Sequence, residues 1–289
     1  MHIAFIALAA LCWGVSGGIA GMLITAGWQP LVVSFYRGAI GLLCVLVWLA
    51  LRPRNSGLTN PRLWLWSAIA GVGVAGNFIC YFLSIRFGSV AVAATLMYCA
   101  PVFVYLLSFT LQLERPTTLK WAAIGLVLLG VLLLTSVHMQ DTASITTLAV
   151  ATGLLAGLCY SVFIFAFKYA APHGSPQAIL LIAFTVMVGM LLWPGDSRQL
   201  VAVPFSTSWP LFIVLGLLGA GLSFLLYIIG LKNTPPTAAA IAAMVEPVSA
   251  ALFAVVLLHE RLSAQQMLGM ALILLTVTAL SVTSAGRTE

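Results

Sequence analysis

Ten stretches of about 20 mostly apolar residues follow one another with little between them, and that length is what a helix needs to cross a hydrocarbon core. They run over 3–26, 30–51, 63–85, 89–113, 119–137, 146–168, 176–194, 209–231, 236–258 and 263–284. Composition explains why no other solvent suits them. Charged residues make up 6% of the 289, against about 25% in a soluble domain. The hydrophobic set makes up 62%, too much for one soluble core to bury, and too few polar residues remain to cover the rest. The runs are too long and too evenly apolar for the alternating strands of a membrane barrel. The expected fold is therefore an all-α membrane protein with ten transmembrane helices. The connections, Arg52–Arg62 and His138–Ile145 among them, are short and leave no room for a soluble domain. The first run is too long for a signal-peptide core and has no basic segment before it, so it reads as an uncleaved span.

Charge placement orients the chain. Ten spans put both ends on one side, where Arg52, Arg54, Arg62, Arg115, Lys120, Lys168, Lys232 and Arg287 lie. The other side holds Arg86, Arg198 and Arg261, while Arg37 lies inside a span. Eight against three predicts cytoplasmic termini. The 12 Lys and Arg are scattered singly between apolar runs, so no nucleic-acid surface is expected despite the net charge of +6. Cys12, Cys44, Cys80, Cys99 and Cys159 each fall alone within a span and read as small apolar packers.

The two halves of the chain match. At a shift of 146, Pro101-Val102 falls on Pro247-Val248, Glu114-Arg115 on Glu260-Arg261, Asn77 on Ser223, Tyr81 on Tyr227 and Arg86 on Lys232. Leu11-Cys12-Trp13 matches Leu158-Cys159-Tyr160 at a shift of 147. The halves divide at 1–140 and 141–289, with five spans each. An odd number forces the second copy to cross the membrane in the opposite sense. Inverted repeats are the architecture of alternating-access transporters, whose site lies near the midplane at the repeat interface.

The segments TLMYCAPVFVYLLSFTLQLERPTTLKWAAIGLVLLGVLLL and AMVEPVSAALFAVVLLHERLSAQQMLGMALILLTVTAL both carry Pro-Val followed by Glu 13 residues after the Pro, at the end of the fourth helix of each half. In this the chain resembles the EamA-type branch of the drug/metabolite transporter superfamily, over essentially its whole length. Within that branch it is most similar to YddG-type exporters of aromatic and other neutral amino acids. The resemblance implies two inverted five-helix bundles in a bacterial inner membrane, around a cavity lined by the first, third and fourth helices of each half.

Other motifs carry less. Gly71-Val72-Gly73-Val74-Ala75-Gly76 satisfies G-x-G-x-x-G, but it lies within a span with neither the strand nor the acidic residue that dinucleotide binding needs. Close helix packing explains it better, and Gly17-x-x-x-Gly21 and Gly153-x-x-x-Gly157 read the same way. No lysine follows glycine as in a phosphate-binding loop, and the four His are far apart. Neither ATP, a metal nor any other cofactor is expected. Pro101 and Pro247, mid-span and symmetric, read as kinks that widen or hinge a cavity. Glu114-Arg115 and Glu260-Arg261 read as charges at helix ends.

Only Arg37 and Glu246 are ionisable and deep within spans. Desolvating a charge costs several kcal/mol, so both are candidates for function, although Arg37 can also snorkel outward. Lys168 and Lys232 read as anchors at the cytoplasmic end, Lys168 having the reach to turn inward. Trp13, Ser16, Asn77 and Tyr81 are candidate cavity residues in the first half, with Tyr98 from its fourth helix. Tyr160, Ser223 and Tyr227 are their candidates in the second half, beside Glu246. A zwitterionic solute needs a carboxylate for its ammonium and a donor for its own carboxylate; Glu246 with Asn77 or Ser223 meets both needs. Glu246 replaces Ala100 of the first half, so the repeat does not demand an acid there. An unpaired Glu246 could instead carry a proton during the cycle.

The expected function is export of small, mostly neutral metabolites, amino acids including aromatic ones first. Nucleotide sugars and other phosphorylated metabolites would need several convergent cations; lipophilic cations would suit Glu246 with an aromatic wall. An intramembrane enzyme would need a nucleophile–base pair at depth, and a cation channel a ring of acids or a filter sequence; neither is present. The expected partners are a small solute and the lipid bilayer. The sequence leaves the oligomeric state open, and a monomer would suffice.

Overall fold

A chain in hydrocarbon must satisfy its backbone internally, and the computed structural model, which describes residues 2–51, 56–135, 146–193, 195–259 and 262–285, is helical nearly throughout. In chain order the helices are α1 (His2–Thr25), α2 (Pro30–Leu51), α3 (Pro61–Phe87), α4 (Val90–Met97), α5 (Ala100–Thr110), α6 (Thr118–Thr135) and α7 (Thr147–Ala170). There follow α8 (Pro176–Leu192), α9 (Ser197–Ala202), α10 (Trp209–Gly216), α11 (Ser223–Lys232), α12 (Pro236–Ala243), α13 (Val245–Leu257) and α14 (Ala264–Ala285). Eight helical segments are long and apolar enough to cross a membrane. α8 and the Ala264–Ala279 part of α14 are apolar but shorter. Arg52, Arg54, His138, Glu260, Arg261 and Arg287, used above for topology and symmetry, lie outside the described residues.

The sequence starts its helices with side-chain acceptors. Asn60, Ser89, Thr146 and Ser175 each accept a hydrogen bond from the first turn that follows, and Pro61 and Pro176 supply a residue with no N–H to leave orphaned. α9, which falls in a stretch read as a connection, starts in the same way, with Asp196 accepting from the Arg198 N–H.

Pro101 and Pro247 do more than kink. Each sits in the first turn of a second helix, so the expected spans 89–113 and 236–258 are both split, at Tyr98–Cys99 and at Met244. Neither proline has an N–H to return to the carbonyl four residues earlier. The chain tightens at each break, with Val102 N–H donating to Cys99 O (2.9 Å) and Met244 N–H to Ile241 O (3.0 Å). Tyr98 and Glu246 lie at these interruptions. A π turn, Leu217–Leu222, joins α10 to α11 and shifts the hydrogen-bond register in mid-span.

Small residues set the packing. α3 lies along α7 and α8, α1 along α11 and α13, α2 along α8, and α6 along α14. A Cβ on Gly71 would meet the Ala183 carbonyl, and one on Gly73 or Gly76 would meet Cys159, so that motif is a packing face. Gly153 and Gly157 likewise sit against Leu96 and Met97. Gly17 and Gly21 do not: no atom lies within 4 Å of a Cβ built on either. They border empty space, because the cavity described below runs past them. The outward faces keep their leucines and valines exposed, as at Leu43, Val47 and Leu51, which is the surface a lipid chain would cover.

Candidate functional site

A cavity of about 600 Å³ enters the helical bundle between α1, α2, α3 and the α4–α5 break. It reaches the end of the molecule where α1 finishes (Ile24, Thr25), α2 begins (Pro30), α3 finishes (Arg86) and α4 begins (Val90). We call this the open face. The small residues Gly17, Ala20 and Gly21 make the α1 wall and leave its volume empty.

The floor is aromatic. Trp13 lies 5.1 Å from Phe224 and 5.0 Å from Tyr227 between ring centroids, and Tyr160 lies 4.5 Å from Phe163. Trp13, Tyr160, Phe163 and Phe224 line the cavity; Tyr227 packs beneath them, fully buried. Tyr81, Asn77 and Phe78 on α3 form one wall, and Tyr98 comes from the α4–α5 break.

The two charges within the span region face this space. Arg37 Nε donates to the carbonyl of Gly219 (2.9 Å), a residue of the π turn, and its guanidinium lies 5.3 Å from the Phe78 centroid. One side of the fork is thus fixed, and the terminal nitrogens are left for the cavity. Glu246 stands at the start of α13, with the Tyr160 hydroxyl donating to its carboxylate at 3.5 Å. Among the described residues the salt bridge is Lys120–Glu114 at 2.7 Å; Arg37 and Glu246 face the same cavity without pairing.

Of the candidates read from sequence, the cavity brings together Trp13, Asn77, Tyr81, Tyr98, Tyr160, Glu246 and Arg37. The Asn77 amide N–H is already spent on the Ala156 carbonyl (3.0 Å). Ser16 lies behind the wall, its hydroxyl donating to Trp13 O (2.8 Å). Ser223 and Tyr227 are fully buried outside the cavity, and their hydroxyls have no partner among the described residues. Pro101 and Pro247 are buried at the helix breaks rather than exposed to the cavity. Sequence reasoning passed over Phe78, Phe163 and Phe224. Phe78 and Phe224 follow Asn77 and Ser223 directly, so the 146-residue shift pairs them too.

The opposite end is sealed. Lys168 Nζ donates to the carbonyls of Leu231 (2.8 Å), Lys232 (2.8 Å) and Thr234 (2.9 Å), completing the C-terminus of α11. Glu114, bridged to Lys120, accepts from the Thr237 N–H (3.2 Å) in the first turn of α12. A carboxylate suits the positive end of a helix and an ammonium the negative end. Glu114 thereby joins elements from the two halves of the chain, whereas Lys168 joins α7 to the end of α11 within the second half.

A multi-pass helical membrane protein with a deep cavity open at one end and closed by polar contacts at the other has the form of a solute transporter. The chain belongs to the EamA-like transporter family, whose profile matches residues 1–136 and again 147–282. It is a transporter and not an enzyme. It is 25% identical over 283 residues to the Uncharacterized transporter YwfM of Bacillus subtilis, covering 96% of this chain and 92% of that one. An Uncharacterized transporter of Archaeoglobus fulgidus is 28% identical over 258 residues, 89% of each chain. A solved structure described as "Crystal structure of protein" superposes with a TM-score of 0.82 at 20% identity, covering 100% of this chain and 98% of that one, which establishes the likeness of fold.

Proposed function

We propose that this transporter exports small neutral zwitterions, amino acids including aromatic ones, by alternating access across the bacterial inner membrane. The observation that carries the reading is the pair Arg37 and Glu246, of opposite charge, facing one cavity without neutralising each other. A zwitterion completes both: its carboxylate meets the free side of the Arg37 fork, and its ammonium meets Glu246. The aromatic floor then receives an apolar or aromatic side chain. Glu246 with Arg37, rather than with Asn77 or Ser223, is the better pairing, since Asn77 is engaged with the backbone and Ser223 lies outside the cavity.

Ten spans in two inverted five-helix repeats support the transport cycle. The family profile matches two segments of similar length. Packing pairs recur under the shift: α1 with α11 and α3 with α7, α1 with α13 and α7 with α5. The eight-to-three distribution of Lys and Arg assigns the sealed end to the cytoplasm and the open face to the outside. A sugar phosphate fits less well, because Glu246 would repel its charge.

Glu246→Gln in liposomes tests the reading. Counterflow of phenylalanine falls at least tenfold, while response to an imposed pH gradient changes no more than counterflow does. Wild-type affinity and rate in both assays would make Glu246 a satisfied buried acid and end the proposal.

A further inference from the structure

Packing pairs show where the two halves of the chain fall out of step. A Cβ on Gly71 of α3 would meet Val186 on α8, and one on Gly216 of α10 would meet Ile40 on α2. Ile40 and Val186 are counterparts at a shift of 146, as are Pro30 and Pro176, which open those two helices. Gly216 therefore stands in the place of Gly71, at a shift of 145. A little further on, a Cβ on Gly73 would meet Phe163 on α7, and one on Gly219 would meet Ser16 on α1. Ser16 and Phe163 are counterparts at 147, so Gly219 stands in the place of Gly73, at 146. The second half thus carries one extra residue between Gly216 and Gly219, either Leu217 or Leu218. This is where the chain leaves α register for the π turn, whereas α3 runs through the equivalent stretch as an unbroken α-helix. A π turn closes its hydrogen bonds over one more residue than an α turn, so it takes up a single insertion within a helix.

The insertion changes the use of one carbonyl. In α register the Ser223 N–H would be given to Gly219 O; here it goes to Leu218 O and Ala220 O. Gly219 O accepts instead from Arg37 Nε, at 2.9 Å. That approach needs glycine, because a Cβ at 219 would lie 2.6 Å from the same Nε and 2.7 Å from the Ser16 hydroxyl. Arg37 is not repeated either, since the shift of 146 places Ala183 where the second half would carry it. The deep arginine and the π turn face each other, and each belongs to one half alone. A guanidinium in hydrocarbon has to be held by polar partners. A carboxylate would hold it and cancel its charge, whereas a carbonyl holds it and leaves the charge for a ligand.

We propose that the π turn is a positioning element for Arg37. One residue inserted into the second half releases the Gly219 carbonyl, which fixes the guanidinium so that its two terminal nitrogens meet the solute carboxylate as a bidentate pair. Gly219 acts through Arg37 and does not touch the solute. The inference rests on the zwitterion reading above for what Arg37 binds, and adds the residues that aim it.

Removing the insertion from the full chain tests it. Deletion of Leu217, whose side chain is exposed on the outer surface, gives the second half the spacing of the first. In detergent, with isotopically labelled arginine, the Arg37 Nε–H resonance is identified as the one lost in Arg37→Gln. It is expected to exchange slowly with water in the native chain and about tenfold faster after the deletion, as a hydrogen bond that opens locally does. Gly219→Ala, which keeps the chain length and crowds Nε, is expected to act in the same direction. Gly221→Ala adds a Cβ that meets nothing nearer than 3.7 Å and is expected to leave the signal unchanged. These two substitutions decide the question even where the deletion variant does not fold. In liposomes the deletion and Gly219→Ala each raise the half-saturating concentration of phenylalanine about tenfold, the size of one charge-assisted hydrogen bond, with little change in maximal rate. Neither raises it further once Arg37→Gln is present. An Arg37 signal unmoved by both variants, an equal response to Gly221→Ala, or losses that add to that of Arg37→Gln would each overturn the proposal. If the signal responds but phenylalanine is not exchanged, the substrate reading falls and the positioning role stands. If phenylalanine exchanges with an affinity that neither variant alters, the positioning role falls and the substrate reading stands.

Discussion

Arg37 and Glu246 give the cavity its polarity, and on the proposed function the aromatic residues that line it with them supply the selectivity. Aromatic contacts in offset or edge geometry add about 0.5–1.5 kcal/mol each beyond burial. Trp13→Ala or Tyr160→Ala should therefore weaken transport of phenylalanine or tryptophan about three- to tenfold relative to alanine or glycine, read as relative counterflow rates. Equal losses for large and small solutes would count against a side-chain pocket. Both charged residues are legible in the sequence, because a lone ionisable group within a span stands out against its surroundings. The partner of Arg37 is not legible, since it is a backbone carbonyl 182 positions away that no side-chain pattern marks. Lys168 is legible as an anchor with the reach to turn inward. That its ammonium completes the end of another helix follows from a packing no local signal contains.

At the scale of the elements, glycines do two opposite jobs on one helix. A Cβ on Gly14 would strike the backbone of Glu246 and Ala250 as well as the Ser249 hydroxyl, so this glycine lets α1 approach α13. Gly14→Ala should push the helices apart at the base of the site and cost about 1–3 kcal/mol, seen as a lower midpoint of thermal unfolding in detergent. Gly17→Ala meets nothing within 4 Å and should leave that midpoint unchanged. Equal melting of the two variants would contradict the assignment of walls. The sequence shows the glycine spacing but not whether the space beyond is filled, which is why Gly17 and Gly21 read there as a packing face. Proline marked the two helix breaks in advance, symmetrically placed. The π turn at Leu217–Leu222 carries no proline and looks like any apolar helical stretch, so nothing in the sequence foretold it.

At the scale of the whole molecule, the sequence anticipated the eight segments that are long and apolar enough to cross a membrane among the described residues, because helix length in hydrocarbon is set by thickness rather than by tertiary detail. It did not anticipate which end is open, because that depends on how the helices pack against one another and no local pattern records it. The central claim is that the open cavity is built for a molecule bearing both an ammonium and a carboxylate. Counterflow in liposomes, with labelled phenylalanine inside and a panel of unlabelled competitors outside, tests it most directly. Phenylalanine is expected to exchange, phenethylamine to compete about ten- to hundredfold less well for want of the carboxylate that Arg37 receives, as follows from about 1.5–3 kcal/mol for a charge-assisted hydrogen bond, and Arg37→Gln to abolish that discrimination. Exchange driven equally by phenethylamine in the wild-type protein, or by a sugar phosphate in place of phenylalanine, would contradict it.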